Sequence, residues 1–352
     1  MPYLKLYIRL EVSLDNPNKV YFIACCFPPF GRGNAITNSC VANLLAQKFR
    51  VEVVCMERED GGFIAYQQDE SLVKGLNSKL HVHRVRAGKW FGLNTLLYAV
   101  GILPCYFVNW AWRVWKSRDQ IFEKGGVVFA VYPVFSDLLL GYSVSRFYQM
   151  PLLVDFRDDF SGVMSSGWRC IFRPYYSYLE RVIIKSADRI SVTTDTLQHN
   201  IMKRYGLTSD QVRVVYNIVP SNTARKSGHV YSSEKMNVIY AGAMSRVQKP
   251  EMLLKAYSHL CRLDSRWSSR ITVHFFGPKS PYFRIAIRKW LGEGCNYGGF
   301  LPQKDIVHRI EQADIGFFSL SDDTYAYATP TKLFDYIEAG IPIVAALPHG
   351  VS

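Results

Sequence analysis

Short apolar runs alternate along nearly the whole chain with longer stretches whose apolar residues recur at helical spacing. The runs at residues 20–26, 51–56, 127–132, 151–155, 189–194 and 212–215 are too short for helices. They are rich in Ile, Val and Phe, and so predict buried strands. Helical spacing falls between them at about 35–48, 136–147 and 173–186. A polar, serine-rich stretch at 221–235 interrupts the alternation, which then resumes with strand-like runs at 236–242, 271–277, 315–320 and 341–347. Helices are expected there at about 250–263, 306–312 and 331–339. Alternation of this kind predicts an α/β protein with parallel sheets. The boundaries are a first domain at 1–220, a linker at 221–235 and a second domain at 236–352, with 1–18 as a loose extension.

Residues 329–342 carry the most chemistry. Thr329 is placed to cap a helix whose first position Pro330 suits, because its missing N–H has no partner there. Gly340 supplies the stop, with Pro342 just beyond. Thr331, Lys332 and Asp335 then lie in the first turns, with Lys332 and Asp335 on one face. A helix start beside a lysine is an anion site, and a carboxylate one turn in accepts hydrogen bonds from hydroxyls. Phosphate beside hydroxyls describes a nucleotide-sugar.

This segment resembles the donor-binding helix of family 4 glycosyltransferases of the GT-B fold, whose common form reads Pro-x-Lys-Leu-Phe-Glu-Tyr-x-x-x-Gly-x-Pro. The resemblance covers most of the chain and implies two Rossmann-like domains facing a cleft. It implies that Asp335 holds ribose hydroxyls, while Tyr327 stands where many members carry a first glutamate. Gly31 and Gly33, in Pro28-Pro29-Phe30-Gly31-Arg32-Gly33, are similar to the family's glycine-rich loop near the donor diphosphate and the acceptor. Lys249 matches the family lysine that neutralises the leaving diphosphate. Ala243 replaces the usual arginine, with Arg246 within reach of the same phosphates. Asp155-Phe156-Arg157-Asp158 resembles an Asp-x-Arg-Asp segment on the acceptor side. Asp158 is then expected to orient an acceptor hydroxyl as a catalytic group with Lys249. Arg157 and Arg32 are expected to contact the acceptor, and a structural ion pair is the competing reading of Arg157. Family members with a histidine after the preceding strand carry it near Phe135 or Ser136, so no base is assigned.

Charge adds an anionic partner. The chain of 352 residues has a net charge of +13 with 49% hydrophobic and 20% charged residues. That describes a folded protein attracted to phosphorylated substrates or an anionic membrane surface. No zinc-like Cys/His spacing or RNA-binding signature occurs, so nucleic acid is not an expected partner. The eight cysteines form no Cys-x-x-Cys pair and predict a reducing, cytoplasmic compartment. Asp158-Asp159 and Asp322-Asp323 resemble a metal-binding pair only superficially, and His81 and His83 alternate along a strand-like stretch. Neither a metal nor another cofactor is expected. From Trp90 to Trp112 no residue is charged, and the stretch is rich in Trp, Tyr and Phe. Asn94, Gly101, Pro104 and Asn109 interrupt it, so an interfacial hairpin fits better than a span, with Arg113, Lys116 and Arg118 meeting headgroups.

The expectation is a glycosyltransferase that moves a sugar from a nucleoside-diphosphate sugar (UDP or GDP type) to an acceptor, a lipid-linked glycan. It acts with retention of configuration, peripherally on the inner face of the plasma membrane. Because the sequence stops just after a strand, the second domain is expected to be incomplete. The alternatives are a nucleotide-sugar 2-epimerase-like isomerase and an inactive truncated remnant.

Overall fold

The computed structural model describes residues 19–31, 33–57, 67–88, 91–163, 168–217, 235–278, 280–290, 292–320, 325 and 327–347. Contacts divide the chain into two compact units, one running to Ile218 without residues 69–71, the other comprising those three and the chain from Val219.

In the first unit seven strands form one parallel sheet: β1 (Lys19–Ile23), β2 (Arg50–Met56), β3 (His81–Val85), β4 (Val127–Tyr132), β5 (Leu152–Phe156), β6 (Arg189–Val192) and β7 (Val212–Val214). Their order is β3-β2-β1-β4-β5-β6-β7. Helices cover both faces, so β4 and β5 are buried at every position and read as continuous apolar runs. Val41 and Ala42 of the helix Gly33–Leu45 pack on Phe22 and Phe129, whose rings meet edge-on at 5.2 Å. β3 was visible only as an alternation of polar and apolar residues, because it is an edge strand with no fully buried position. His83 there lies 2.8 Å from the buried Glu52 carboxylate.

The stretch between Trp90 and Trp112 folds as two helices, Phe91–Ala99 and Val108–Lys116. Among the described residues no helix is long and apolar enough to cross a membrane. Phe107 and Trp110 are core residues, whereas Leu93, Leu96, Val100, Ile102 and Trp112 are exposed. The aromatic content of this stretch therefore belongs partly to packing, and aliphatic residues supply much of its outer face.

The second unit has five parallel strands: β8 (Met236–Ala241), β9 (Ile271–Phe276), β10 (Cys295–Gly299), β11 (Ile315–Ser319) and β12 (Ile343–Ala346), in the order β10-β9-β8-β11-β12. Alternate residues of each strand serve opposite faces. Tyr240, Phe275 and Phe317 pack with Leu254 and Phe283, from the helices Glu251–Leu263 and Pro281–Trp290. Ile239, Ala241 and Phe318 pack with Ile310 and Tyr336, from the helices Gln303–Glu311 and Thr331–Ala339. β10 was not expected, since Cys295-Asn-Tyr-Gly-Gly299 offers almost no apolar pattern.

Candidate functional site

In the second sheet the strand order reverses between β8 and β11. They pair only at Ile315 with Val238 and Gly316 with Ile239, after which the strands part. A parallel sheet binds ligands in the crevice at such a point, beyond the carboxyl ends of its strands. Tyr336 closes the base of this crevice. Its fully buried hydroxyl accepts the Ala241 N–H at 3.0 Å and donates to the Phe317 carbonyl at 3.1 Å, replacing the missing rung between the two strands. A Cβ on Gly316 would sit 2.6 Å from the Tyr336 ring, so only glycine admits the ring there.

Tyr336 fixes the helix Thr331–Ala339, and one turn earlier that helix delivers Lys332. Pro330 is the cap and Thr331 the first helical residue, one position later than the sequence suggested, because Pro330 has an extended ψ of 133°. The cap forms no side-chain hydrogen bond, and Gly340 ends the helix at φ 71°. Lys332 is 5% exposed. Its Nζ donates to Tyr240 Oη at 2.9 Å and to Gln248 Oε1 at 3.3 Å, and lies 4.0 Å from the Tyr240 ring centre. Burial pushes its pKa down to about 7, against the opposing pull of Asp335. Asp335 is pushed up to about 6 by burial and by Glu338, while Gln303 and Lys332 act the other way. The pair is a buried amine that loses its proton near neutrality beside a carboxyl group titrating just below it.

The loop after β8 forms the other wall. Ser319, at the end of β11, donates its hydroxyl to the carbonyl of Gln248 and lies 3.2 Å from that of Lys249. Lys249 is held at φ 35°, a left-handed conformation that is unusual for a lysine. Arg246 is exposed, with its guanidinium 5.9 Å from the Tyr282 ring centre. The Tyr282 hydroxyl in turn donates to the buried Glu251. At the base of the loop, Gly242 (φ 137°) donates its N–H to the Phe276 carbonyl at 2.9 Å. A Cβ on Gly277 would lie 1.9 Å from the Gly242 carbonyl oxygen, and one on Gly242 3.1 Å from Lys332. The backbones of two loops and the lysine thus meet at van der Waals distance.

The first sheet reverses order between β1 and β4, and a second polar cluster lies near the carboxyl ends there. Arg157 follows β5 with its side chain 9% exposed. Nε pairs with Asp155 Oδ2 at 2.8 Å and Nη1 donates to Asn38 Oδ1 at 2.7 Å, while Nη2 is buried without a partner. Ser191 donates to the other Asp155 oxygen at 2.6 Å, and Asn38 donates to the Cys26 carbonyl at 2.7 Å. The Arg157 partner is therefore Asp155, so the ion pair is real and still leaves one donor over. Asp158 is half-buried beside it. Asp159 is committed elsewhere, to Arg204 at 2.6 and 2.8 Å. Asp137, two residues after Phe135, accepts the Cys25 N–H at 2.9 Å. Its Oδ1 is buried and unpartnered, and burial raises its pKa well above the carboxylate range.

Among the sequence-selected residues, Arg246, Lys249, Pro330, Thr331, Lys332 and Asp335 belong to the loop and helix that flank the second unit's crevice. Gly33 is the first residue of the helix Gly33–Leu45, which carries Asn38 to Arg157, whereas Gly31 lies before that helix and donates its N–H to the Gln67 carbonyl at 2.8 Å. Arg32 and the pair Asp322-Asp323 lie outside the described residues. No group of three or more metal-ligating side chains occurs among the described residues. Sequence reasoning missed Tyr240, Gln248, Ser319 and Tyr336. Tyr336 carried a usable signal, a tyrosine one turn after a helical lysine; the other three partner residues far away in the chain.

No family model matches this sequence, and no curated protein does. Solved structures match the fold. A sucrose-phosphate synthase from Thermosynechococcus elongatus superposes with a TM-score of 0.64 at 12% identity, over 93% of this chain and 81% of its own. Anabaena HepE, solved with UDP-glucose, gives 0.59 at 14% identity, over 94% and 81%. A putative UDP-N-acetylglucosamine 2-epimerase from Listeria monocytogenes gives 0.54 at 11% identity, over 94% and 79%. The chain thus has the GT-B fold, with two Rossmann-like α/β units.

Proposed function

We propose that the chain is a glycosyltransferase that takes its sugar from a nucleoside-diphosphate sugar bound to the second unit. The observation that carries this reading is the buried Lys332, threaded to Tyr240 and Gln248 under the Gly242 loop at the point where β8 and β11 part. HepE, which shares the fold, was solved with UDP-glucose, and this supports a uridine nucleotide as the first ligand to try. Lys332, Lys249 and Arg246 offset the charge that grows on the diphosphate as it leaves. The backbone N–H groups of Thr331 and Lys332 face the same charge, since the first turn of a helix has no internal partners for them. Asp335 accepts hydrogen bonds from the ribose hydroxyls.

Titration calorimetry with UDP and GDP tests the donor site. Lys249→Ala and Lys332→Ala should each weaken binding by about 1.5–3 kcal/mol, the value of a hydrogen bond to a charged group. Unchanged affinity in both variants removes the assignment. Asp335→Ala should weaken UDP or GDP binding and leave pyrophosphate binding as it was.

The acceptor reading is a lipid-linked glycan, with transfer under retention, the leaving phosphate and the acceptor hydroxyl reacting on one face of the sugar. Asp158 orients that hydroxyl. The spare Nη2 of Arg157 suits an anionic group on the acceptor, such as the phosphate that joins a glycan to a lipid carrier. The net charge of +13 and the exposed aliphatic residues at 93–102 support work at the inner face of the plasma membrane. One observation favours a second reading: the Listeria epimerase has the same fold. Incubating the chain with nucleotide-sugar alone separates the two, because an isomerase yields the epimerised nucleotide-sugar without any acceptor.

A further inference from the structure

We propose that one face of the first unit docks on a bilayer containing anionic lipid, through Leu93, Leu96, Val100 and Ile102 together with Ile171 and Tyr178. These six side chains are between 43% and 75% exposed. They come from two segments distant in sequence: the helix Phe91–Ala99 with the turn that follows it, and the short helical turn Trp168–Phe172 with the start of the helix Arg173–Ser186. Tyr176 joins the segments: its buried hydroxyl lies 2.5 Å from the Gly101 carbonyl and 3.2 Å from that of Leu103. Single exposed leucines are ordinary on a protein surface, but aliphatic tips gathered from two joined segments are not.

The charge around them selects the occupant. No Asp or Glu occurs from residue 91 to 118, and the one acid between 168 and 187 is Glu180, which is fully buried under Ser161 and Tyr205. Among the described side chains of residues 93–118 and 170–187, every exposed charge is basic (Arg113, Lys116, Arg173, Arg181 and Lys185), and the first exposed acids beyond them are Asp119 and Asp188. On the helix Arg173–Ser186, Tyr175 and Tyr178 are exposed in the first half, and Arg181 and Lys185 in the second. Apolar tips, tyrosines and a basic margin without acids make up an interfacial anchor, where the tips enter the acyl boundary and the cations meet headgroup phosphates. The proposal deepens the lipid-acceptor reading above and rests on it only for its purpose.

Cosedimentation of the full chain with vesicles of equal parts phosphatidylglycerol and phosphatidylcholine tests it. The unmodified chain should pellet at low salt, bind much less to phosphatidylcholine alone, and be partly released by salt. The pairs Leu96→Ser with Ile102→Ser, and Ile171→Ser with Tyr178→Ser, should each lower vesicle affinity about tenfold or more, since each removes two inserted side chains. Their melting temperatures should stay put, because these side chains already face solvent in the free protein. Arg181→Glu with Lys185→Glu should weaken binding to the anionic vesicles only. A chain that stays in the supernatant, or serine variants that pellet like the unmodified chain, overturns the proposal. Retention on immobilised polyglutamate without vesicle binding also overturns it and assigns the face to an acidic protein. UDP affinity measured on the same preparations reports on the donor site separately, so the vesicle result can fail while the transferase reading stands.

Discussion

Lys332 is costly where it stands. An amine buried under a loop with two neutral partners is stable only if it sheds its proton easily, and burial brings its pKa to about 7. A diphosphate arriving at Nζ would favour the charged form, so donor binding should take up a proton when the solution is above neutrality. UDP affinity is therefore expected to fall as pH rises above 7, by up to about tenfold per unit, and Lys332→Met should flatten that slope in calorimetry. The stability sign is separate. The folded pKa lies below the unfolded value of 10.5, so the unfolded chain holds more protons between pH 7 and 10.5, and this residue makes stability rise with pH across that window. Lys332→Met should accordingly gain more in melting temperature at pH 6 than at pH 9. Lys249 poses a different test, because its backbone is left-handed. Lys249→Gly and Lys249→Ala should lose nucleotide affinity alike, yet the glycine variant should be more stable by about 1 kcal/mol in denaturant melts. The place of Lys332 in the first turn of its helix was legible in the sequence. The direction of Lys332 was not, since its acceptors Tyr240 and Gln248 stand in the loop and strand at the opposite side of the crevice.

At the scale of elements, the Tyr336 hydroxyl pins the Thr331–Ala339 helix between two strands. Tyr336→Phe removes it and leaves the Ala241 N–H and the Phe317 carbonyl without that partner in a dry interior, which should cost about 1–3 kcal/mol. Gly316→Ala should do comparable damage by displacing the same ring. Both variants should weaken UDP binding along with stability, whereas Lys249→Ala should weaken binding with little change in melting. If Tyr336→Phe melts lower but binds UDP unchanged, the helix does not need its anchor to present Lys332. Central elements were legible because burial on both faces gives unbroken apolar runs: β4 lies at Val127–Tyr132, where the pattern put it. Edge strands β3 and β10 lack that pressure. Their residues, His81-Val-His-Arg-Val85 and Cys295-Asn-Tyr-Gly-Gly299, gain their conformation from neighbouring backbone rather than from a pattern of their own. The helix Asp195–Tyr205 escaped for a related reason: it buries only Leu197 and Ile201, although Thr194 and Gly206 cap it in regular fashion.

Across the whole molecule, the proposed division of work between the two units is one that calorimetry can resolve. A nucleotide held by the second unit alone stabilises that unit by about 2.7 kcal/mol at a hundredfold excess over its dissociation constant. UDP is thus expected to raise the melting of the second unit and to leave any separate transition of the first unchanged. Equal shifts in both would mean that the first unit also binds it. The parallel α/β plan of each unit was readable from alternation alone; the aromatic stretch shows the limit of such reading, since Trp110 and Trp112 look alike in sequence while one is core and the other surface. The close approach of Gly242 and Gly277 has a consequence for how this chain can change over generations. A Cβ on Gly277 would strike the Gly242 carbonyl oxygen, and one on Gly242 would crowd the end of Lys332 on a backbone held at φ 137° that side chains rarely adopt. A randomised library across 242–249 and 277–282 should return both glycines unaltered among its functional members. Diversity would gather at the exposed Arg246, from which a new sugar preference could be selected.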